Sequence, residues 1–326
     1  MKSFEQVLYT VNDSTFDNIA LRIFHKQAKE NNVYRDFMGF LGVEPGAIDR
    51  VDKIPFLPIS FFKSHDVVTG NQGMPEIIFS SSGTSGSFSS RHLVPQLSFY
   101  LSNAKRNFEF FFDSLSDYHI LALLPSYLER EGSSLISMVN YFIRESQSAA
   151  SGFYLYNYEE LLKQIKGLKN DGRKVLLLGV SFALLELAER FEVDLSHCII
   201  METGGMKGKR KELTREELHE FLQKKFHVKV IHSEYGMTEL MSQAYSNGGG
   251  LYSPPPWMKV VVRDLNDPFQ LEPMGKTGGI NMIDLANLHS CAFIETQDLG
   301  KVYQNGRFEI LGRFDNSDIR GCNLLV

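Results

Sequence analysis

The chain has no long apolar run, no basic block and no paired cysteines, and each absence closes off a class of function. No stretch approaches the roughly 20 apolar residues that a membrane helix needs. The N-terminal MKSFEQVLYTVNDSTFDN meets Asp and Asn before any apolar run reaches signal-peptide length. A cytoplasmic protein with no membrane insertion is expected. Lys and Arg number 34 against 39 Asp and Glu, a net charge of -5, so no basic field gathers nucleic acid or anionic lipid. The three cysteines, Cys198, Cys291 and Cys322, are odd in number and lack CxxC spacing, which argues against a disulfide framework or a zinc site and for reduced thiols. Internal repeats, low-complexity tracts and charged linkers are also missing, so composition marks no domain boundary. What is present is 326 residues at 43% hydrophobic, enough to bury one large core or two modest ones.

The order of elements carries the organisation. Ser3 with Gln6 reads as a capping box, and residues 16–31, with Ile19, Ile23 and Phe24 on one face, read as an amphipathic helix. Pro55 and Pro58 make residues 51–68 an extended, well-packed segment, and residues 76–80 follow as a short strand. Apolar strands are then expected at 118–124, 152–158, 174–180, 198–202 and 228–232. Helices alternate with them at 100–111, 133–142, 159–166, 183–192 and 214–226, the last opened by a Thr214–Glu217 capping box. Such alternation predicts an α/β fold, a largely parallel sheet covered by helices on both faces. Beyond Trp257 only strands follow, at 257–263, 278–285 and 292–295, and then a hairpin whose Asn305-Gly306 pair suits a type I′ turn. The expected division is an N-terminal helical segment with an α/β core over residues 1–256, and a small β-rich subdomain over 257–326.

Directly after the 76–80 strand, Ser80-Ser81-Ser82-Gly83-Thr84-Ser85-Gly86 offers backbone N–H groups and hydroxyls at small steric cost, which suits an oxyanion. Taken alone, a run of this composition reads better as a flexible Ser/Gly loop. A Walker loop is disfavoured because Ser87, not Lys, follows Gly86.

Three later segments change that reading. SSSGTSG, then Tyr235-Gly236-Met237-Thr238-Glu239, then Glu295-Thr296-Gln297-Asp298, then Gly312-Arg313-Phe314-Asp315 resemble, in order, the phosphate loop, YGxTE motif, ribose-binding aspartate motif and GRxD hinge of the adenylate-forming (acyl-CoA synthetase-like) superfamily. Within it, IPFLPISFFKSH, LPSYLEREGSSL, METGGMKGKRKE and RGCNLLV resemble the acyl-protein synthetase family, the synthetase component of bacterial luminescence fatty-acid reductases, and more distantly phenylacetate-CoA ligases. The resemblance spans the chain from about residue 50 onward. It implies the N-terminal domain fold of an adenylate-forming ligase, with the C-terminal mobile domain and its lysine truncated because the chain stops at Val326.

The resemblance also assigns roles. Ser81, Ser82, Gly83, Thr84, Ser85 and Gly86 would clasp the β- and γ-phosphates of ATP, Thr238 would donate to the α-phosphate, and Glu239 would hold Mg²⁺ as a hard carboxylate ligand. Tyr235, followed by Gly236, would stack on adenine, with Gly204 and Gly205 leaving room for the purine. Asp298 would accept from the ribose hydroxyls and Arg313 would lie near ribose and phosphate. Each has a bland counterpart: a helix start at Thr238-Glu239, ordinary packing for Tyr235, an Asp298-Leu299-Gly300 turn, and a surface ion pair for Arg313. Lys63, Arg91, His65, His92 and His232 are expected to be surface or core residues, and Glu129-Arg130-Glu131 a solvated face.

Acyl-protein synthetases pass the acyl group to a cysteine near the C-terminus, and Arg320-Gly321-Cys322-Asn323 stands at that position, so Cys322 is the candidate acceptor. A small apolar residue in a terminal strand is the alternative, and Cys198 and Cys291 read as core. The implied function is ATP-dependent activation of a small-molecule carboxylic acid as acyl-AMP. The acyl group would then move to a thiol of this chain, of an acyl-accepting or reductase partner protein, or of CoA. An acyl- or aryl-CoA ligase of phenylacetate-CoA ligase type and a non-catalytic nucleotide-binding subunit are the alternatives.

Overall fold

A computed structural model of the chain describes residues 4–81, 89–125, 132–204 and 213–314. Its helices are α1 (Phe4–Leu8), α2 (Asp13–Glu30), α3 (Asn32–Phe40), α4 (Phe61–Ser64), α5 (Leu97–Phe111), α6 (Ser134–Glu145), α7 (Tyr158–Gly167), α8 (Ser181–Arg190) and α9 (Arg215–Phe226). The strands are β1 (Leu57–Pro58), β2 (Ile77–Ser80), β3 (Arg91–Val94), β4 (Tyr118–Leu123), β5 (Gly152–Tyr154), β6 (Lys174–Val180), β7 (Cys198–Thr203) and β8 (His232–Tyr235). They continue with β9 (Ala244–Ser246), β10 (Leu251–Ser253), β11 (Met258–Arg263), β12 (Thr277–Asp284), β13 (Phe293–Val302) and β14 (Phe308–Arg313). Among the described residues no helix is long and apolar enough to cross a membrane.

The chain divides into two compact units, one of Glu76–Ser82 and Gln96–Pro255, the other of Met1–Pro75, Gly83–Pro95 and Pro256–Val326. In the first, β5, β4, β6, β7 and β8 run parallel, and β9 and β10 extend the sheet antiparallel from β8. The sequence reason is plain in the middle of the sheet. β4 reads YHILAL with every residue buried, as a strand covered on both faces must be. α9 begins at the expected capping box, where the Thr214 hydroxyl accepts from the Glu217 N–H and the Glu217 carboxylate accepts from the Thr214 N–H.

The strand expected at 228–232 lies instead at 232–235. Helix α9 stops on His227 in the left-handed region (φ 54), and Val228 N–H returns to the Gln223 carbonyl. The helix stop therefore consumes the following residues, and pairing begins where His232 meets Met201 of β7. As a result Glu234 and Tyr235 end a strand rather than follow one.

In the second unit β11, β12, β13 and β14 form an antiparallel meander, and β1 adds parallel to β13. The N-terminal helices, read along the chain with the α/β region, group here with the C-terminal strands. Side chains separated by more than 250 residues join them: Gln27 donates to the Asn287 carbonyl at 2.8 Å and accepts from the Ala292 N–H at 2.9 Å, and Asn31 donates to the Ser290 carbonyl at 3.0 Å. Phe24 packs edge-on against Phe293, 6.0 Å between centroids. Buried amides that satisfy a distant backbone are costly to strip of their partners, so they tie these segments firmly.

Two local expectations are corrected in this unit. The Asn305-Gly306 turn is not type I′, because Gly306 alone has positive φ (75). Gly306 N–H bonds Tyr303 C=O and Tyr303 N–H bonds Arg307 C=O, which is a three-residue loop built on a type I turn with the glycine at the bulge. Nor does Asp298-Leu299-Gly300 form a turn. All three lie within β13, which runs ten residues, and the irregularity there is a register shift between Leu299 and Gly300.

Candidate active site

The carboxyl ends of β7 and β8 gather the sequence-predicted residues of the α/β unit, and parallel sheets place ligands at that edge. Glu202 and Thr203 end β7 and Gly204 follows it; Glu234 and Tyr235 end β8, and Gly236 leads into a turn in which Leu240 N–H bonds Met237 C=O. Thr238 and Glu239 therefore sit in that turn and not at a helix start; Thr238 is half-buried and Glu239 is 5% exposed. Strand pairing assigns faces. Glu202 is opposite Ser233, which is opposite Ser246, whereas Thr203 is opposite Glu234, which is opposite Tyr245. Side chains alternate, so Glu202 and Ser233 share one face and Glu234 and Tyr245 share the other.

On the first face a buried carboxylate is fully engaged. Glu202 accepts from the Ser181 hydroxyl at 2.8 Å and from Arg215 Nε at 3.3 Å, with His219 Nε2 3.6 Å away. Burial, the largest influence, pushes its pKa up; hydrogen bonding with His219, the Arg215 charge and the Ser181 and Ser233 hydroxyls outweigh it, and the carboxyl is held below the ordinary Glu value. The Ser181 hydroxyl also lies 3.1 Å from the Gly204 carbonyl, so the network reaches the backbone where β7 ends. Arg215 in turn covers the Tyr252 ring at 5.3 Å, and that ring lies 5.6 Å from the ring of Tyr235.

On the second face Glu234, 6% exposed, accepts a hydrogen bond from the Thr203 hydroxyl. Burial pushes its carboxyl up to about 7, against the Thr203 hydrogen bond and with the Glu202 charge adding. A carboxyl raised in the fold contributes stability that is full below the ordinary Glu range and lost as pH rises through 7. The gap corresponds to about 3 kcal/mol. Urea unfolding of Glu234→Gln should show that wild type loses about 3 kcal/mol relative to the variant between pH 4.5 and pH 8. Parallel curves for the two proteins would contradict this.

In the β-rich unit Asp298 of β13 is 7% exposed and lies opposite Arg313 of β14, whose Nε is 3.3 Å from Asp298 Oδ1. The adjoining Thr296 is held through Arg263, a buried cation that donates to the carbonyls of Ile280 (3.0 Å) and Thr296 (2.7 Å) and to Asn281 Oδ1 (2.8 Å). The Thr296 hydroxyl donates to Ile280 C=O and accepts from Asp298 N–H at 3.1 Å, so Arg263 and Thr296 set the position of Asp298.

Of the sequence-predicted residues, Gly204, Tyr235, Gly236, Thr238 and Glu239 gather at one sheet edge, Asp298 pairs with Arg313, and Ser81 follows β2 half-buried. Ser82, Gly83, Thr84, Ser85, Gly86, Gly205 and Cys322, with Ser3, Glu129-Arg130-Glu131, Asp315 and Arg320, lie outside the described residues. Cys198 and Cys291 are buried, and burial pushes both thiols up to about 12, so neither is a thiolate near neutrality. Arg91 pairs with Asp66 on the surface, and buried His92 contacts the Ser290 hydroxyl at 3.0 Å. Sequence reasoning missed Glu202, Glu234, Arg215 and Arg263 as site residues. The available signal was a charge inside an apolar strand, as in IIMET and VVVR.

No family profile matches the chain. It is 23% identical over 320 residues to the long-chain-fatty-acid–luciferin-component ligase of Vibrio harveyi, covering 90% of this chain and 82% of that one. It superposes on 2-hydroxyisobutyryl-CoA ligase, solved in the postadenylation state with R3-HIB-AMP, at a TM-score of 0.70, 10% identity, and 93% and 68% coverage. The fold is the one seen in that ligase. ATP-bound MatB from Rhodopseudomonas palustris matches at a TM-score of 0.56 and 18% identity over 75% of this chain. The chain spans about half the length of that MatB structure.

Proposed function

We propose that the chain is an ATP-dependent ligase that activates a carboxylic acid as acyl-AMP and passes the acyl group to a thiol. The observation that carries this reading is the placement of the YGMTE segment: it leaves the carboxyl end of β8 with Glu239 buried in the turn that follows. The likeness to the luciferin-component ligase over most of the chain supports it, as do neighbours solved with ATP or with an acyl-AMP.

Among the described residues no cluster of three or more His, Cys, Asp or Glu could hold a metal ion. Mg²⁺ fits nonetheless, since it is commonly bound by one or two carboxylates with phosphates and water completing its shell, and Glu239 supplies one carboxylate. Bound Mg²⁺ would neutralise phosphate charge. The chain's own residues would do the rest. Thr238 donates to the α-phosphate, the Ser81–Gly86 loop takes the β- and γ-phosphates, Tyr235 with Gly204 holds the base, and Asp298 accepts from the ribose. The carboxylate oxygen of the acid attacks the α-phosphorus as pyrophosphate leaves, so positioning and charge stabilisation are the protein's contribution.

In the second step a thiolate attacks the acyl carbon, a thioester forms and AMP departs with the bonding electron pair. Cys322 is the proposed acceptor within this chain. Intact mass after incubation with Mg·ATP and an accepted acid should show an acyl adduct that hydroxylamine removes and that Cys322→Ser lacks. Pyrophosphate release without any adduct would assign the acceptor to a diffusible thiol such as CoA or to a partner protein.

A further inference from the structure

The turn that carries Thr238 and Glu239 belongs to the loop 236–243, closed where Tyr235 of β8 pairs with Ala244 of β9. The second half of that loop, 239–243, is buried. Buried backbone outside a strand must find its hydrogen-bond partners elsewhere, and here α5 supplies two of them. Asn103 Nδ2 donates to the Met241 carbonyl at 2.8 Å and to the Ser242 hydroxyl at 3.2 Å, and Asn107 Nδ2 donates to the Gln243 carbonyl. Four residues of helix rise about 6 Å, close to the roughly 6.6 Å over which alternate carbonyls repeat in extended chain. Amides at 103 and 107 therefore match carbonyls at 241 and 243.

Both amides are fully buried, on a helix face otherwise made of Phe99, Tyr100, Ala104 and Phe108. Neither Asn103 Oδ1 nor Asn107 Oδ1 has a hydrogen-bond partner among the described residues. A buried oxygen left without a partner is destabilising, and Asn is a poorer helix former than Leu. Packing α5 on the core would be served better by apolar side chains, so what these positions retain is the pair of donors. We propose that Asn103 and Asn107 are positioning residues for adenylation, fixing the limb of the loop that leaves Glu239 and so holding its carboxylate ready for Mg²⁺. The inference rests on the adenylation reading of this site. Met241 stands just beyond Glu239, so slack at its carbonyl is passed to the carboxylate. Groups that orient a metal ligand govern metal affinity by about 10- to 100-fold.

The test uses Asn103→Leu and Asn107→Leu, which remove the donors and keep an apolar side chain of similar size. Each single variant retains the other amide's bond, which guards against misfolding. Amide hydrogen exchange across 237–243 should quicken by roughly 10-fold in each, with β6 and β7 as in wild type. Calorimetric titration with ATP in Mg²⁺ and with ATP in EDTA should show the first affinity falling by roughly 10-fold relative to the second. In pyrophosphate release kcat should fall while the KM for the acid stays. Val139→Ala, a truncation on the buried face of α6, is the control: it should lower the urea midpoint and leave the ratio of the two affinities as in wild type. Unchanged exchange across 237–243, a ratio unmoved in both Asn variants, or one that falls as far in Val139→Ala, would overturn the positioning role and leave adenylation standing. Wild-type protein that binds ATP no better with Mg²⁺ than in EDTA would overturn both.

Discussion

Glu239→Gln should lower carboxylate-dependent pyrophosphate release by roughly 100-fold or more while leaving the urea midpoint nearly unchanged. Gln keeps the volume of a side chain that is 5% exposed and removes only the charge. If Glu239 is the protein carboxylate for Mg²⁺, the loss should show mainly in kcat and be partly offset by raised Mg²⁺. A merely structural role would instead shift the urea midpoint and leave the Mg²⁺ dependence as in wild type. That pattern would remove Glu239 from the chemistry.

The second large effect belongs to Glu202. Replacing it by Leu strands Arg215 and His219 without their shared carboxylate beneath the β7 terminus. Removing one partner of a buried ion pair costs about 3–5 kcal/mol, because the remaining charge stays desolvated. The pH dependence identifies the cause. Glu202 is held below the ordinary Glu value, so its contribution is present above that range and lost as pH falls through its lowered folded value. The gap between wild type and Glu202→Leu in urea unfolding should be full at pH 7 and narrow as the solution is acidified below pH 4. A gap that stays constant with pH would mean that packing, not charge, is what the variant loses.

These residues mark the limit of what the sequence disclosed. Alternation of apolar strands and amphipathic helices was legible because each element carries its own period; the 174–180 strand and the Thr214–Glu217 cap fall as read. The β8 boundary was not, because the left-handed stop at His227 is decided by how α9 ends rather than by strand propensity. β13 looked like a short strand and a turn, since Asp298 and Gly300 are poor strand formers in isolation; ladders to β12 and β14 hold them. The segments that resemble the phosphate-loop, YGxTE and aspartate motifs were visible as contiguous runs. The carboxylates at the ends of β7 and β8 were not, because their partners are remote: Ser181 lies 21 residues from Glu202, and Thr203 lies 31 from Glu234. The same holds for Gln27 and Asn287, whose hydrogen bond joins residues 260 apart in the chain.

The most direct test of the account is pyrophosphate release from Mg·ATP by the purified chain, measured with and without a panel of fatty, aryl, short-chain and hydroxy acids. Release that depends on an added acid, and falls by roughly 100-fold in Glu239→Gln, is the predicted result. Release that is absent with every acid, from protein that binds ATP and unfolds cooperatively, would contradict it.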